Sequence, residues 1–253
     1  MNTIETKEFK FKSVDNEGAE ILDVISSADK FNEWMYETIK PFCKGKVLEI
    51  GSGIGNISTF FLRDNFEIML TDIRDVYCDK LNNLFSENKN LLGIKNVDLI
   101  DPEFDIKHKD LLNSFDTVFA LNVVEHIQDD TLAISNCKKL LTNNGNLIIL
   151  VPAFQTLYNS FDKSLEHYRR YNKESLNKLF QQNNIKIIHD QYFNLMGILG
   201  WFISGKVQKN TTFPQGQMDL YNTLVPVFKI IDKVILNQAG LSVITVGNVQ
   251  TLK

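Results

Sequence analysis

The sequence predicts an α/β fold built on a parallel, doubly wound sheet. An apolar run from Val47 to Ile50 leads into the glycine-rich stretch Gly51-Ser52-Gly53-Ile54-Gly55, and a helical pattern follows at once. Glycines in such a turn allow positive φ angles, so backbone N–H groups can approach a ligand at the carboxyl edge of the sheet. Further apolar, strand-like runs alternate with helix-like segments along the chain, which is typical of parallel strands joined by helices.

The composition is that of an ordinary globular protein. The chain has 253 residues, long enough for one large or two small α/β domains. Its net charge of −4 argues against nucleic acid as a main partner. The three cysteines have no paired or metal-like spacing, which favours a reducing compartment. The polar start, residues 1–12, lacks an apolar signal segment, so we expect a cytoplasmic protein.

The N-terminal region predicts helices that precede the first strand. Residues 1–18 look like a loosely held lead-in, and the apolar spacing from Ala19 to Ile39 indicates helices, with Asp29 as a possible cap between two of them. Pro41 ends this stretch. Within it we expect Trp34 to be a core residue rather than a platform for a ligand.

A carboxylate follows the second predicted strand, which begins at Phe66. Asp72 lies about 20 positions after Gly51, the offset at which an acidic side chain meets a ribose in dinucleotide folds. A carboxylate suits this position because it accepts hydrogen bonds and two vicinal hydroxyls donate them. The alternative is that Asp72 is a helix cap or turn residue.

The spacing of the glycines separates two classes of ligand. A dinucleotide motif places its third small residue where this chain has Asn56, whereas the third glycine here is Gly55. Together with Glu49 in the strand, the turn resembles motif I of the class I S-adenosylmethionine (SAM)-dependent methyltransferases, an apolar strand and an acidic residue followed by G-x-G-x-G. The alternative is an ordinary tight turn between a strand and a helix.

This resemblance implies a Rossmann-like, doubly wound sheet of seven strands whose last strand is antiparallel. It also implies SAM as cofactor and S-adenosylhomocysteine (SAH) as product. Asp98 follows the third strand and would accept from the adenine amino group, with Asp101 as a nearby competitor. The implied cofactor-binding residues are Glu49, Gly51, Ser52, Gly53, Gly55, Asn56, Asp72, Ile73, Asp98, Leu99, Asn122 and Val123.

A second motif covers residues 115–127, which read FDTVFALNVVEHI. The pattern predicts an apolar strand that exits into polar residues beside the glycine turn. It resembles motif IV of the methyltransferase subgroup that contains the ubiquinone- and menaquinone-type enzymes. His126 is a candidate catalytic base, because an imidazole can take a proton near neutral pH. Alternatively, His126 hydrogen-bonds structural groups around the cofactor.

Residues 151–171 follow a strand that ends at Pro152, and they resemble a bacterial subgroup with a G-H-Y-R-R-Y signature. Glu166 replaces the glycine, which brings the local backbone into question because glycine readily adopts positive φ. We expect this segment to cover the carboxyl edge of the sheet and to contact the methyl acceptor. The candidate residues are Tyr158, His167, Tyr168, Arg169, Arg170 and Tyr171.

The arginines of this segment leave two alternatives open. They could hold an anionic acceptor through paired N–H bonds. They could instead form ion pairs with Glu166, Glu174 or Asp162 within a folded lid.

Residues 194–238 exceed a minimal seven-stranded domain. The apolar run 195–203 is too short to span a bilayer, and we expect it to pack beneath a second helix from Leu220 to Leu236. A cover over the substrate, a weak membrane-surface contact and a dimer surface are alternatives, so the chain would be a monomer or a homodimer. A final strand is expected from Leu241 to Gly247.

These features predict a single methyltransferase domain. It would consist of an N-terminal extension and helical cap at 1–44, a SAM-binding core at 45–193, an insertion or lid at 194–238 and a final strand at 239–253.

The expected function is transfer of the SAM methyl to an O, N or C atom of a small-molecule acceptor, an anion if the arginines bind it, by in-line displacement. The alternatives are an NAD(P)-dependent oxidoreductase and a non-catalytic SAM-binding subunit. No metal is expected, since the four histidines are scattered without ligand spacing.

Overall fold

The computed structural model describes residues 24, 26–207 and 215–250, so the predicted lead-in at 1–18 and the start of the predicted N-terminal helices lie outside the described residues. The strands are β1 Val47–Ile50, β2 Ile68–Asp72, β3 Leu91–Asn96, β4 Phe115–Leu121, β5 Leu141–Pro152, β6 Lys186–Phe193 and β7 Ser242–Asn248. The helices are α1 Asp29–Ile39, α2 Ser58–Arg63, α3 Asp75–Phe85, α4 Phe104–Lys107, α5 Asp130–Leu140, α6 Ser160–Ser164, α7 Lys173–Gln182, α8 Leu195–Trp201 and α9 Gln215–Val234.

The seven strands form one sheet in the order β3-β2-β1-β4-β5-β7-β6. Strand β7 is antiparallel to both of its neighbours, and the pairs from β3 to β5 are parallel. This confirms the predicted fold class. The chain builds outward from β1 in one direction through β2 and β3, and in the other direction through β4 and β5. The carboxyl ends of β1 and β4 therefore flank the point where the strand order reverses, which is where open α/β sheets bind ligands.

Alternation along β1 and β4 sends neighbouring side chains to opposite faces of the sheet. Leu48 and Val118 pack into a core on the side of α5 and α7. Val47 and Phe119 pack into a second core on the side of α1 and α2, which also contains Trp34. Trp34 is thus a core residue, as the sequence predicts. Both faces are covered, which explains why the strands read as nearly continuous apolar runs.

One local prediction about the N-terminal helices differs from the structure. Asp29 is the first residue of α1 and Ala28 is its N-cap, so Asp29 is not a cap. Farther along the chain, the connection between β3 and β4 contains the short helix α4. Strand β5 already starts at Leu141, and its register with β4 shifts before Asn146.

The region after β6 contains α8, a π-helical turn Phe202–Val207 and α9. Trp201 is buried and its indole N–H donates to the carbonyl of Leu157 at 3.2 Å. Val225 and Phe228 of α9 pack into the same core as α1. The opposite side of α9 exposes a row of apolar side chains that includes Leu220, Val227 and Ile230. In the part of the chain that the structure covers, we find no helix with the length and apolar character needed to cross a bilayer.

Candidate active site

The glycine turn after β1 depends on backbone angles that favour glycine. Gly51, Gly53 and Gly55 have φ angles of +72°, +54° and +87°. A Cβ atom on Gly51 would lie 2.5 Å from Cγ2 of Val123, and one on Gly55 would lie 2.5 Å from the ring of Phe85. The turn is therefore held between the end of β4 and helix α3, with no room for a side chain at Gly51 or Gly55.

The exit of β4 lies directly against this turn. Asn122 adopts a positive φ of +55°, and its N–H donates to the carbonyl of Leu150 in β5 at 2.8 Å. The reversal of the chain at Asn122 brings Val123 onto Gly51. The predicted site residues of the glycine turn and those of the motif at 115–127 thus lie side by side, at the point where the strand order reverses.

Asp72 joins the end of β2 to the same turn. Its Oδ2 accepts from the N–H of Gly53 at 3.0 Å, and its Oδ1 accepts from the N–H of Arg74 at 2.9 Å. The residue is 5% exposed, and burial raises the pKa of its carboxyl group. Each oxygen accepts one protein hydrogen bond, and a carboxylate oxygen has a second lone pair that can accept another.

Backbone hydrogen bonds connect the glycine turn to the end of β2, and the end of β2 to the loop that follows β3. Ser52 donates its backbone N–H to the carbonyl of Thr71 at 2.8 Å. The N–H of Val97 donates to the carbonyl of Asp72 at 3.1 Å, which places Asp98 beside the end of β2. The Asp98 side chain is half-buried and accepts from the N–H of Ile100 within its own loop.

The competitor Asp101 forms an ion pair with Lys107 at 2.5 Å. Its carboxylate is therefore already neutralised by a neighbouring side chain. Asp98 thus stays the better candidate for contact with an adenine ring, and Leu99, which is buried behind it, is placed to contribute apolar surface.

Glu49 is a buried carboxyl group in β1, an inner strand of the sheet. It points from β1 to α2, where the hydroxyl of Ser58 donates to its Oε2. Burial raises the pKa of Glu49 to about 7, against hydrogen bonds from Ser58 and Ser52 that act in the opposite direction. Near neutral pH the group is therefore poised between its acid and its carboxylate form.

We expect this carboxyl group to make stability fall as pH rises. The folded state keeps a proton on Glu49 up to about pH 7, whereas the unfolded chain releases it near pH 4.3. The free energy of unfolding should thus decrease between about pH 4 and pH 7 by roughly 3 kcal/mol and then level off. Glu49→Gln should flatten this slope when unfolding in urea is measured across pH.

The matched control for this substitution is Glu103→Gln, which makes the same chemical change at an exposed carboxylate. It should leave the pH profile of the wild type in place. A Glu49→Gln profile that is as steep as the wild type would show that Glu49 is not the titrating group.

A second cluster lies after β4, where one turn of 3-10 helix covers Val124–His126. Glu125 is fully buried, and neither of its carboxylate oxygens has a hydrogen-bond partner. Burial raises the pKa of Glu125 to about 8. The rings of His126 and His167 are 4.6 Å apart in an edge-to-face arrangement. The histidines are therefore scattered in sequence, as the spacing indicates, but two of them are neighbours in space.

His126 is an exposed residue whose ring lies against the ring of His167. This crowding lowers the pKa of His126, and the positive charges of His167 and Arg74 act in the same direction. A neutral imidazole can accept a proton, so His126 has the protonation state that a catalytic base requires. Its role as that base stays a prediction.

The carboxylate of Asp162 binds several groups of the segment that follows β5. Its Oδ1 accepts from Nε of Arg170 at 2.7 Å and bonds Nδ1 of His167 at 2.9 Å. Its Oδ2 accepts from the N–H of Asn159. Burial alone would raise the pKa of Asp162, but the hydrogen bond from His167 and the charge and hydrogen bond of Arg170 lower it. The Arg170 guanidinium also lies 4.5 Å from the ring centroid of Trp201.

Several predicted acceptor-binding residues are engaged within the protein. Arg169 pairs with Asp130 at 2.6 Å, and the hydroxyl of Tyr171 donates to the same carboxylate. The hydroxyl of Tyr158 donates to the carbonyl of His167. Of the predicted ion-pair partners, Asp162 is used by Arg170, whereas Arg169 uses an aspartate that the sequence did not suggest.

The backbone at Glu166 explains the glycine of the related signature. Glu166 has a φ of +58°, a left-handed conformation that costs a non-glycine residue roughly 1 kcal/mol. The segment therefore keeps its shape without the glycine. The sequence did not indicate Glu125 as a member of this cluster, and its only local signal was its place within the motif at 115–127. Asp162 was predicted only as a possible partner of the arginines.

Residues 48–147 match the family model of a methyltransferase domain. The match includes the glycine turn, Asp72, Asp98 and the exit of β4, and it ends before the segment 151–171. A curated relative from Dictyostelium discoideum, named Probable polyketide synthase 42, is 28% identical over 146 residues. That alignment covers 50% of this chain and 6% of the relative, so the chain spans only a small part of that protein's length.

Solved structures share the fold of this chain. Haemonchus contortus phosphoethanolamine N-methyltransferase 2 in complex with SAM has a TM-score of 0.55 and 18% identity, covering 84% of this chain and 51% of that one. A SAM-dependent methyltransferase from Archaeoglobus fulgidus has a TM-score of 0.55 and 16% identity, covering 86% and 94%. At these identities the likeness concerns the fold.

Proposed function

We propose that this protein is a SAM-dependent methyltransferase whose cofactor lies along the carboxyl ends of β1, β2 and β4. The observation that carries the proposal is the direct hydrogen bond from the Gly53 N–H to Asp72. This bond puts the candidate ribose acceptor and the side-chain-free turn in one place. Asp98 follows on the same edge through the backbone bond between Val97 and Asp72.

The chemistry follows from the charge of the cofactor. The sulfonium makes the methyl group reactive, so the protein chiefly has to align the acceptor atom, the methyl carbon and the sulfur, and to exclude water. A base is needed when the acceptor carries a proton at neutral pH. His126 is our candidate for that role.

We propose a small-molecule acceptor. The relatives include a polyketide synthase and a phosphoethanolamine methyltransferase, which supports small molecules without choosing between carbon, nitrogen and oxygen. The engagement of Arg169 by Asp130 and of Arg170 by Asp162 weakens the argument for an anion. The motif at 115–127 supports the subgroup that contains the ubiquinone- and menaquinone-type enzymes. The free thiols of Cys43, Cys78 and Cys137 support a reducing, cytoplasmic location.

The proposal is tested by calorimetry of the purified chain with SAH and, separately, with NAD. We expect binding of SAH and none of NAD. Binding of NAD with no response to SAH would favour the oxidoreductase alternative. Release of SAH from SAM in the presence of candidate acceptors then distinguishes an enzyme from a non-catalytic SAM-binding subunit.

Asp72→Asn should weaken SAH binding by at least about tenfold, because a hydrogen bond to a charged acceptor contributes roughly 1.5–3 kcal/mol. The control is Asp75→Asn, which removes the same charge from the first turn of α3, where Asp75 accepts from Asn96. The control should bind SAH as the wild type does. Thermal unfolding of both variants checks that the turn has not been lost, and equal SAH affinities would place the ribose elsewhere.

A further inference from the structure

The end of β4 and the segment after α6 bring three metal-ligating side chains together. Glu125, His126 and His167 each offer one ligand atom, and these atoms lie within 4.8 Å of one another. Glu125 and His126 come from the same 3-10 turn, whereas His167 comes from beyond β5. Metal–nitrogen and metal–oxygen bonds are about 2 Å long, so the ligand atoms of one ion lie roughly 3–4 Å apart, and binding would draw these side chains together by about an ångström.

Glu125 lacks the partner that a buried carboxylate requires. It is fully buried, and both of its oxygens are without hydrogen bonds. The cation nearby is Arg170, but its Nε is bound to Asp162 and its Nη1 to the carbonyl of Ala153. The remaining nitrogen, Nη2, makes no hydrogen bond to Glu125 or to any other group that the structure describes. Buried carboxylates are normally satisfied by donors or by a metal ion.

The His167 imidazole is oriented in the manner of a metal ligand. Its Nδ1 is bonded to a carboxylate oxygen of Asp162 at 2.9 Å. With the proton on Nδ1, the ring keeps the lone pair of Nε2 for an ion. Histidines that bind metals almost always show this pattern, because the second bond fixes the tautomer and the direction of the ring.

We propose that Glu125, His126 and His167 bind one divalent transition-metal ion, for which Zn²⁺ is the best match. Two imidazoles and a carboxylate are the ligands of catalytic zinc sites, which keep further positions open for water or substrate. Mg²⁺ and Ca²⁺ prefer oxygen ligands and do not match this set. His126 is exposed and provides the side from which an ion can enter.

The position of this cluster suggests a role, which rests on the proposed methyl transfer. Val123, two residues before Glu125, contacts the glycine turn. In the metal-bound protein His126 would be a ligand and not the base. An acceptor hydroxyl bound to the ion would lose its proton to water more readily. The oxygen would then form its bond to the methyl carbon while the carbon–sulfur bond breaks, and that electron pair would stay on the sulfur of SAH.

The test measures binding of metal alone, in the absence of SAM. The full chain is stripped with a chelator and dialysed, then titrated with ZnCl₂ by calorimetry and with CoCl₂ by visible absorption. We expect one equivalent of each ion to bind, with the intense cobalt bands of a site of low coordination number. A wild-type chain that binds no stoichiometric Zn²⁺ would overturn the proposal.

Substitutions distinguish this site from surface binding. Glu125→Gln, His126→Gln and His167→Gln should each lower Zn²⁺ affinity by at least the ~10–100-fold that is typical of changes around a metal. His189→Gln is the matched control, since His189 bonds Gln191 in β6 and lies outside the cluster. Circular dichroism identifies any variant that fails to fold, and Glu125→Gln should fold because glutamine has nearly the same size and shape as glutamic acid. Equal Zn²⁺ affinity in His126→Gln and the control would contradict the assignment.

Separate experiments test the metal site and the proposed methyltransferase function. Calorimetry of the metal-free chain with SAH tests only the cofactor site, and the Zn²⁺ titration tests only the cluster. SAH binding without Zn²⁺ binding would leave the methyltransferase proposal in place and remove the metal site.

Discussion

Gly51→Ala should weaken SAH binding by about 100-fold. Gly51 has a φ of +72°, and a side chain in this region costs roughly 1–2 kcal/mol. The new Cβ would also lie 2.5 Å from Cγ2 of Val123, so either the turn or the exit of β4 must move. Strain and displacement together reach about 3 kcal/mol, which corresponds to about two decades in affinity. Calorimetry with SAH measures the effect.

Gly200→Ala is the control for this substitution. A Cβ on Gly200 meets no atom within 4 Å, and the residue lies in helix α8, where alanine is preferred to glycine. SAH affinity should not change. The double variant Gly51→Ala/Val123→Ala removes the methyl group that the new Cβ would meet, and it should recover part of the lost affinity relative to Val123→Ala alone. Wild-type SAH affinity in Gly51→Ala would mean that the turn does not approach the cofactor.

Arg170→Met should lower the free energy of unfolding by about 3–5 kcal/mol. Its guanidinium and the carboxylate of Asp162 form an ion pair at 2.7 Å with both side chains fully buried. Removing one partner leaves the other charge buried without compensation, which is the costly way to break such a pair. The cation–π contact with Trp201 is lost as well. Unfolding in urea, followed by circular dichroism, measures the change.

Arg169→Met makes the same substitution at the adjacent position. Arg169 pairs with Asp130, but its side chain is 31% exposed, and such pairs contribute at most about 1 kcal/mol. The two variants should therefore differ severalfold in their loss of stability. Similar losses for both would show that the buried pair does not hold the segment after β5 in place.

The local sequence determined the framework of this protein. The strand bounds at 47–50 agree with the structure residue for residue, because a short apolar run indicates a strand buried on both faces of the sheet. The glycine turn was also predictable, since positive φ angles demand residues without a Cβ. Asp72 could be paired with this turn from its offset alone, because successive parallel strands end at the same edge of the sheet.

The tertiary structure alone decided how the polar groups around the site are paired. Nothing in the spacing of His126 and His167 indicates that their rings meet, because the contact depends on how the segment after β5 folds back over the end of β4. The partners of Arg169 and Arg170 were likewise set by packing, which buries Asp162 beside one arginine and leaves Asp130 near the surface for the other. Periodicity records which side chains are buried, whereas the choice of partner depends on long-range geometry that no local pattern contains.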